Sequence, residues 1–415
     1  MYQVPRGTSD ILPDEQLFWH YVEHKAANIG QLYGYQRIDT PVFEDTRLFT
    51  RSVGEGTDVV EKQMYTFQDK GGNKITLRPE GTASVCRAYL EHKMHILPQP
   101  VKLYYSASIF RYERPQAGRF RQHHQFGAEA IGDNDPFLDA EVIDMAWHFF
   151  SSLGLAHISL NLNSIGCREC QPGYLTLLKI YYTKHINKLC PDCKTRLHKN
   201  PLRLLDCKET LCLQVANSSP RSIDSLCPQC VSHFNRLKEY LTLLNLSFKI
   251  NHCLVRGLDY YTRTVFEFQT EDNRAQSAIG GGGRYDDLIE EIGGKPSPAI
   301  GFAAGIERII LNLKRQNVTI PPLSRPQLVI AYTSDKTKDE AIKLASILRR
   351  NEIGVIVAIS SKSLKAQLRI SNKLNVHHTI IIGEQGIEKG MVILRDMTTA
   401  QQQTIPLSKI QGLLK

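Results

Sequence analysis

At 415 residues the chain is long enough for two or three domains, each with its own core. Its 51 Lys and Arg against 42 Asp and Glu leave a formal charge of +9, an excess that suits a polyanionic partner. No stretch reaches the roughly 18 apolar residues of a membrane span, and Arg6, Asp10, Asp14 and Glu15 exclude a signal peptide at the start, so a cytoplasmic protein with no membrane partner is expected.

Arg6-Gly7-Thr8-Ser9-Asp10 precedes an amphipathic helix that begins at Pro13 or Asp14 and runs to about Tyr33, where Gly34 stops it. A strand is predicted from Tyr35 to Phe43, interrupted by Pro41, which marks a sheet edge. Met64–Phe67 and Lys74–Leu77 form a hairpin around Asp69-Lys70-Gly71-Gly72-Asn73. Glu80 and Thr82 follow at a strand-to-helix turn, where such residues commonly cap the helix.

The most informative stretch runs from Tyr105 to Ile131. Two alternating runs, one ending near Glu113 and one starting near Gln122, flank a loop with Pro115 and Gly118, the pattern of a β-hairpin. Alternation places Arg111 and Glu113 on one face of the first strand and His123, Gln125 and Glu129 on one face of the second. Phe110, Tyr112, Phe126, Ala128 and Ala130 fall on the opposite, apolar side. Such a polar face is ordinarily solvated. Here Arg114, Arg119 and Arg121 crowd more guanidiniums beside Arg111, and like charges repel unless an anion sits among them; arginine forks match phosphate oxygens, so a polyphosphate substrate is expected.

Beyond an apolar-periodic helix from Asp139 to Leu153, eight of the ten cysteines fall between Cys167 and Cys230 in pairs: Cys167/Cys170, Cys190/Cys193, Cys207/Cys212 and Cys227/Cys230. Cys86 and Cys253 stand alone as small buried apolar residues. A reducing compartment disfavours structural disulfides, so the paired spacing points to structural Zn²⁺. Eight thiolates suit two ions, four suit one, and the alternative is a set of reduced buried thiols. Leu254–Phe268 then reads as a glycine-bearing turn presenting Arg256, Tyr260 and Tyr261, followed by a β-branched, aromatic strand. In Gly280–Asp286 no Lys follows the glycines as a phosphate loop requires; they are read as clearing room for a substrate against a strand. Ala299–Ile310 is strand into helix, with Arg308 at the start of the helix. Pro321, Pro322 and Pro326 mark a linker, after which strands and helices alternate in a small, mostly parallel α/β sheet.

Arg111-x-Glu113, a loop with Arg119, and a second strand with His123 resemble motif 2 of class II aminoacyl-tRNA synthetases. The string Arg-Tyr-Glu-Arg-Pro-Gln-Ala-Gly-Arg-Phe-Arg-Gln resembles the histidyl-tRNA synthetase version. The strand with Pro41 is similar to motif 1, and Ala299–Ile310 to motif 3; Leu254–Phe268 and Gly280–Asp286 are similar to two further signatures of that family. The resemblance implies an α+β fold: a mixed, largely antiparallel sheet flanked by helices, a helical cysteine-rich insertion and a small C-terminal α/β domain. It divides the chain into a catalytic core (1–166 and 247–316), the insertion (167–246), a linker (317–326) and an anticodon-binding domain (327–415). It also implies a homodimer that ligates L-histidine to tRNA(His) through histidyl-adenylate, with ATP and Mg²⁺. By resemblance Arg111 and Arg256 are catalytic at the α-phosphate, and Arg111, Glu113, Arg119, His123 and Arg308 bind ATP, His123 standing where many members have phenylalanine. Glu80, Thr82, Gln125, Glu129, Tyr260 and Tyr261 bind histidine with the two catalytic arginines. The other class in view is a non-catalytic paralogue that binds histidine or tRNA as a regulatory subunit.

Overall fold

The computed structural model describes residues 2–54, 56–113, 120–270, 278–323, 326–358 and 363–413, and the chain divides at Pro321/Pro322 into two compact units. In the first unit, α1 (Gln16–Leu32) buries Trp19, Val22, Ala26 and Ile29, the stripe that helical spacing turns to one side. Gly34, at φ +76°, ends it in the left-handed region that glycine tolerates.

The single strand expected from Tyr35 to Phe43 is instead two short ones in different sheets. β1 (Gln36–Arg37) pairs parallel with Leu103 and Tyr104, whereas β2 (Phe43–Asp45) pairs antiparallel with Leu77, Thr76 and Ile75. Pro41, with no N–H to donate, sits where the chain leaves one ladder for the other. After α2 (Thr46–Val53), β3 (Tyr65–Gln68) and β4 (Lys74–Leu77) form the predicted hairpin; the Asp69 carboxylate closes its loop, accepting the Gly71 and Asn73 N–H groups at 2.8 Å.

Then come α3 (Thr82–Glu91), β5 (Val101–Phe110), β6 (Gln122–Ile131), α4 (Pro136–Ser152) and β7 (Ile158–Ser164). The cysteine-rich segment is helical as expected, with α5 (Gln171–Lys184), α6 (Pro191–Lys199), α7 (Thr210–Asn217) and α8 (Pro228–Leu243). β8 (Phe248–Ile250), β9 (Thr262–Thr270), β10 (Ala278–Arg284), α9 (Leu288–Glu291), β11 (Ala299–Gly305) and α10 (Ile306–Arg315) complete the unit.

Eight of these strands form one sheet in the order β1-β5-β6-β11-β10-β9-β7-β8. It is parallel only in the outermost pairs, β1/β5 and β7/β8, and antiparallel between them. Period-two alternation sends Phe126, Phe266, Phe268 and Phe302 to one face, where Phe149 and Phe150 of α4 complete an aromatic core. The opposite face carries the candidate site. The cysteine-rich segment has no separate core: Tyr174, Leu178, Leu197 and Val215 pack in one cluster with Tyr260 and Tyr261, and Phe234, Leu237 and Leu241 of α8 join the aromatic core. A fully buried ion pair ties these layers together. Arg284 Nε meets Asp139 at 2.7 Å, and Asp139 also accepts from His233 Nε2 of α8 at 2.7 Å and Thr264 Oγ1 of β9 at 2.6 Å.

In the second unit, β12 (Leu328–Tyr332), α11 (Asp335–Arg350), β13 (Val355–Val357), α12 (Leu364–Leu374) and β14 (His378–Ile382) follow the predicted alternation. After α13 (Glu384–Ile387), β15 (Met391–Asp396) and β16 (Gln402–Pro406) extend the sheet to the order β13-β12-β14-β15-β16. The first three strands are parallel and the last two antiparallel, so the sheet is mixed. Among the described residues no helix is long and apolar enough to cross a membrane.

Candidate active site

A cleft of about 930 Å³ opens on the face of the large sheet away from the aromatic core. It gathers Glu80, Thr82, Arg111, Glu113, His123, Gln125, Glu129, Arg256, Tyr260, Tyr261 and Arg308, which come from five separate stretches of sequence. Arg119 lies outside the described residues. The arginine and glutamate of the first hairpin arm do not arrive as predicted. β5 stops at Phe110, and beyond it Glu113 N donates to Arg111 O at 2.7 Å while Tyr112 N donates to Gln63 O at 2.7 Å. Arg111 keeps one bond across the hairpin, its N donating to Arg121 O at 2.9 Å, and Glu113 reaches the cleft from the tight turn beyond it, where strand alternation no longer holds. For the same reason Tyr112 is not on an apolar face: it is exposed, with the Arg121 guanidinium 3.8 Å above its ring.

Glu129 of β6 is the buried hub. Its Oε2 accepts from Tyr285 OH at 2.5 Å, and its Oε1 accepts from Thr82 Oγ1 at 2.7 Å and Tyr105 OH at 3.3 Å. Burial pushes its carboxyl up to about 8; the charge of Glu80 adds to that, and the three hydroxyls oppose it. Glu80 does what the commoner reading of a strand-to-helix turn expects: its carboxylate accepts the Thr82 and Ala83 N–H groups at 2.7 and 2.8 Å, capping α3. It also accepts from Tyr260 OH at 3.3 Å, so the cap and the cleft wall are one side chain.

The shift at Glu129 has a sign that can be tested. Between the ordinary glutamate value of 4.5 and about 8, the folded chain holds a proton that the unfolded chain has lost. This group therefore makes stability fall as pH rises through that window. Glu129→Gln keeps the shape and removes the proton, so its thermal midpoint, measured across the window, is expected to decline less steeply than that of the unsubstituted protein. Equal slopes would count against a raised carboxyl.

The cations stand around this hub. Arg256 Nη1 pairs with Glu267 Oε2 at 2.7 Å, and Gln269 Nε2 holds the other Glu267 oxygen at 2.7 Å. Arg111 Nε donates to Pro79 O at 2.7 Å and Arg308 Nη1 to Ala278 O at 2.9 Å. Burial, then the charges of Arg111 and Arg308, hold the His123 imidazole down at about 3, so it is neutral near pH 7. Beside it, Glu307 accepts from His124 N at 2.9 Å and from His124 Nδ1 at 2.8 Å, fixing the start of α10 to β6.

The glycine run also makes room for the cleft's own side chains. A Cβ at Gly281 would lie 2.8 Å from Arg256 Nη1 and 2.7 Å from Phe266 O, and one at Gly283 would lie 2.9 Å from Tyr261 Cδ1. Gly281 and Gly283 thus seat Arg256 and Tyr261, while Gly280 and Gly281 themselves border the cleft. Tyr105, Glu267 and Tyr285 are among the lining residues that sequence alone does not single out. A lone glutamate between Phe266 and Phe268 was a signal, since a charge on a strand of apolar neighbours needs a partner.

Comparison with known proteins places this cleft. A family model described as histidyl-tRNA synthetase matches residues 7–169 and 196–309. The chain belongs to the histidyl-tRNA synthetase family. A second model, the anticodon binding domain, matches residues 327–415. A histidine–tRNA ligase of Dehalococcoides mccartyi is 62% identical over 410 residues, covering 99% of this chain and 98% of the relative. One of Desulforamulus reducens is 49% identical over 411 residues, again covering 99% and 98%. The crystal structure of apo S. aureus histidyl-tRNA synthetase superimposes with a TM-score of 0.85 at 37% identity, covering all of both chains. The fold is accordingly the class II synthetase core with a C-terminal α/β anticodon-binding domain.

The family model passes over residues 170–195, within the cysteine-rich segment. There the eight paired cysteines, all reduced, form two separate groups of four: Cys167, Cys170, Cys227 and Cys230, and Cys190, Cys193, Cys207 and Cys212. Sγ atoms lie 3.8 Å apart for Cys167–Cys170 and Cys167–Cys227, and 3.9 Å apart for Cys170–Cys230 and Cys190–Cys207. A tetrahedron of sulfurs at ~2.3 Å from a central ion has edges of about 3.8 Å. Cys170, Cys190 and Cys227 each sit at the N-terminal cap of a helix. Both groups fit Zn²⁺ in number, chemistry and spacing, and leave no open ligand position.

Proposed function

We propose that the cleft activates L-histidine with ATP and passes it to the 3′ end of tRNA(His). The class of activity follows from the family: the chain is a histidine–tRNA ligase, an aminoacyl-tRNA ligase. The observation that carries the residue-level reading is the convergence of Arg111, Arg256 and Arg308 with the Glu129 hub in one cleft.

In the first step the histidine carboxylate attacks the α-phosphorus of ATP and pyrophosphate leaves; in the second, a terminal ribose hydroxyl of the tRNA attacks the carbonyl carbon and AMP leaves. Such chemistry depends on positioning and on donors aimed at developing charge. Arg111 and Arg256 hold the α-phosphate and Arg308 serves the β/γ end, a role the resemblance also gives Arg119; Mg²⁺ bound with ATP would help neutralise the phosphate charge. Glu113 and neutral His123 receive the adenine, His123 by stacking. Glu129, Gln125, Tyr260 and Tyr261 hold the amino acid, with Glu80 and Thr82 beside its ammonium group. A cationic ligand beside Glu129 favours its ionised form, so histidine binding releases a proton from this site below about pH 8. The protein works in the cytoplasm as a homodimer, and each four-cysteine group holds one structural Zn²⁺.

ATP–pyrophosphate exchange tests the reading. Exchange that requires histidine, and no other amino acid, is the expected result. Histidine binding without exchange would favour a non-catalytic regulatory paralogue. The second unit supplies a separate test, since the anticodon-binding match falls wholly within it. A chain ending at Pro321 is expected to retain exchange if it remains dimeric, and to charge tRNA poorly. Equal charging by both chains would remove the anticodon role.

A further inference from the structure

The two cysteine groups differ in where they sit. Cys167 and Cys170 precede α5 while Cys227 and Cys230 open α8, so the first group joins the two ends of the insertion. The second group closes a short excursion from Cys190 to Cys212, and Cys190 and Cys207 border the catalytic cleft. From that excursion a set of polar contacts reaches the cleft walls. Arg196 Nη2 meets Asp58 at 3.0 Å and Lys199 Nζ meets Glu61 at 2.6 Å. Asn200 Nδ2 donates to Asp259 Oδ1 at 2.5 Å, on the turn that presents Arg256, Tyr260 and Tyr261. Arg203 Nη1 lies 3.4 Å from where a Cβ on Gly257 of that same turn would stand. Cys193, Cys207 and Cys212 pack in one apolar cluster with Val255, Tyr260 and Tyr261.

We infer that the Cys190/Cys193/Cys207/Cys212 site is a metal-dependent positioning element of the active cleft, whereas the Cys167/Cys170/Cys227/Cys230 site is a clasp at the root of the insertion. The inference rests on the zinc reading above and assigns its two ions different work. α6 and the turn after it carry the residues that brace Asp58, Glu61 and Asp259. α6 itself buries only Cys193 and Leu197. With so little apolar surface of its own, the position of α6 is set at its N-terminus by the metal and at its C-terminus by Asn200. Metal loss there releases the 257–261 turn, and with it Arg256, while the sheet and the aromatic core stay in place.

The test uses full-length protein purified without added metal, with zinc measured by elemental analysis and catalysis by histidine-dependent pyrophosphate exchange. The unsubstituted chain should hold two zinc ions. Cys227→Ser and Cys207→Ser should each hold one. Cys207→Ser should also lose roughly 100-fold in exchange, the scale of a reacting group misplaced by about an ångström. Cys207→His, which restores a zinc ligand without the thiol, should recover the second ion and most of the exchange. Should Cys207→Ser fail to fold, Asn200→Ala cuts the brace and leaves all eight thiols: two zinc ions with slowed exchange are expected. Loss of one zinc with undiminished exchange in Cys207→Ser, or undiminished exchange in Asn200→Ala, would overturn the coupling. A zinc-free chain with full exchange would overturn the metal reading but not the ligase reading. A chain with two zinc ions and no exchange would overturn the ligase reading itself.

Discussion

Arg256→Ala is expected to slow histidine-dependent pyrophosphate exchange by about 100- to 1,000-fold, the usual cost of deleting one donor aimed at developing charge. The guanidinium is held from two sides, by Glu267 at 2.7 Å and by the space left above Gly281, so its fork is preorganised before substrate arrives. An interaction that strengthens as charge moves onto the α-phosphate oxygens appears in kcat more than in KM. Arg256→Lys should recover little, because an ammonium cannot satisfy Glu267 and a phosphate oxygen with one planar fork. Near-normal exchange in a folded Arg256→Ala protein would take this residue out of the mechanism.

The largest expected effect on stability lies elsewhere, at Arg284. This side chain and Asp139 are both fully buried and meet at 2.7 Å, with Asp286 at 2.9 Å and the Asp133 carbonyl at 2.8 Å completing the guanidinium's partners. Arg284→Met takes the cation from Asp139, while Asp286 keeps Arg263 at 3.4 Å, and removing one partner of a buried pair typically costs about 3–5 kcal/mol. Asp139 would retain the His233 and Thr264 bonds, but its charge would lose the cation that holds it ionised in the core. Arg284→Met combined with Asp139→Leu should recover part of the loss, since it removes both buried charges but leaves His233 and Thr264 without their acceptor. Urea unfolding of the two variants checks this. A single variant as stable as the unsubstituted chain would show that the ion pair contributes little. Arg284 belongs to a string that resembles a family signature, yet it touches the core of the sheet and not the cleft.

Local chemistry was legible in the sequence wherever one short stretch contains its own cause. The hairpin of β3 and β4 carries its turn residues between two alternating runs, Gly34 ends α1 because few other residues accept its backbone, and the apolar stripe of α1 is periodic in plain text. Motif resemblance similarly named eleven of the polar and aromatic residues that line the cleft. What the sequence could not hold was partnership across distance. That Glu267 would hold Arg256, that Tyr285 and Tyr105 would close on Glu129, and that Arg284 would be consumed by Asp139 are results of strand order and register. β5 ends at Phe110, and Tyr112 N donates to Gln63 O, which lies outside the hairpin, so Glu113 leaves its predicted strand. The cysteines divide most sharply along this line. Spacing alone made each Cys-x₂-Cys pair a half-site, but eight thiols allow several pairings into fours. Only the fold decides, because it returns α8 to the start of α5 and leaves Cys190–Cys212 to close on itself beside the cleft.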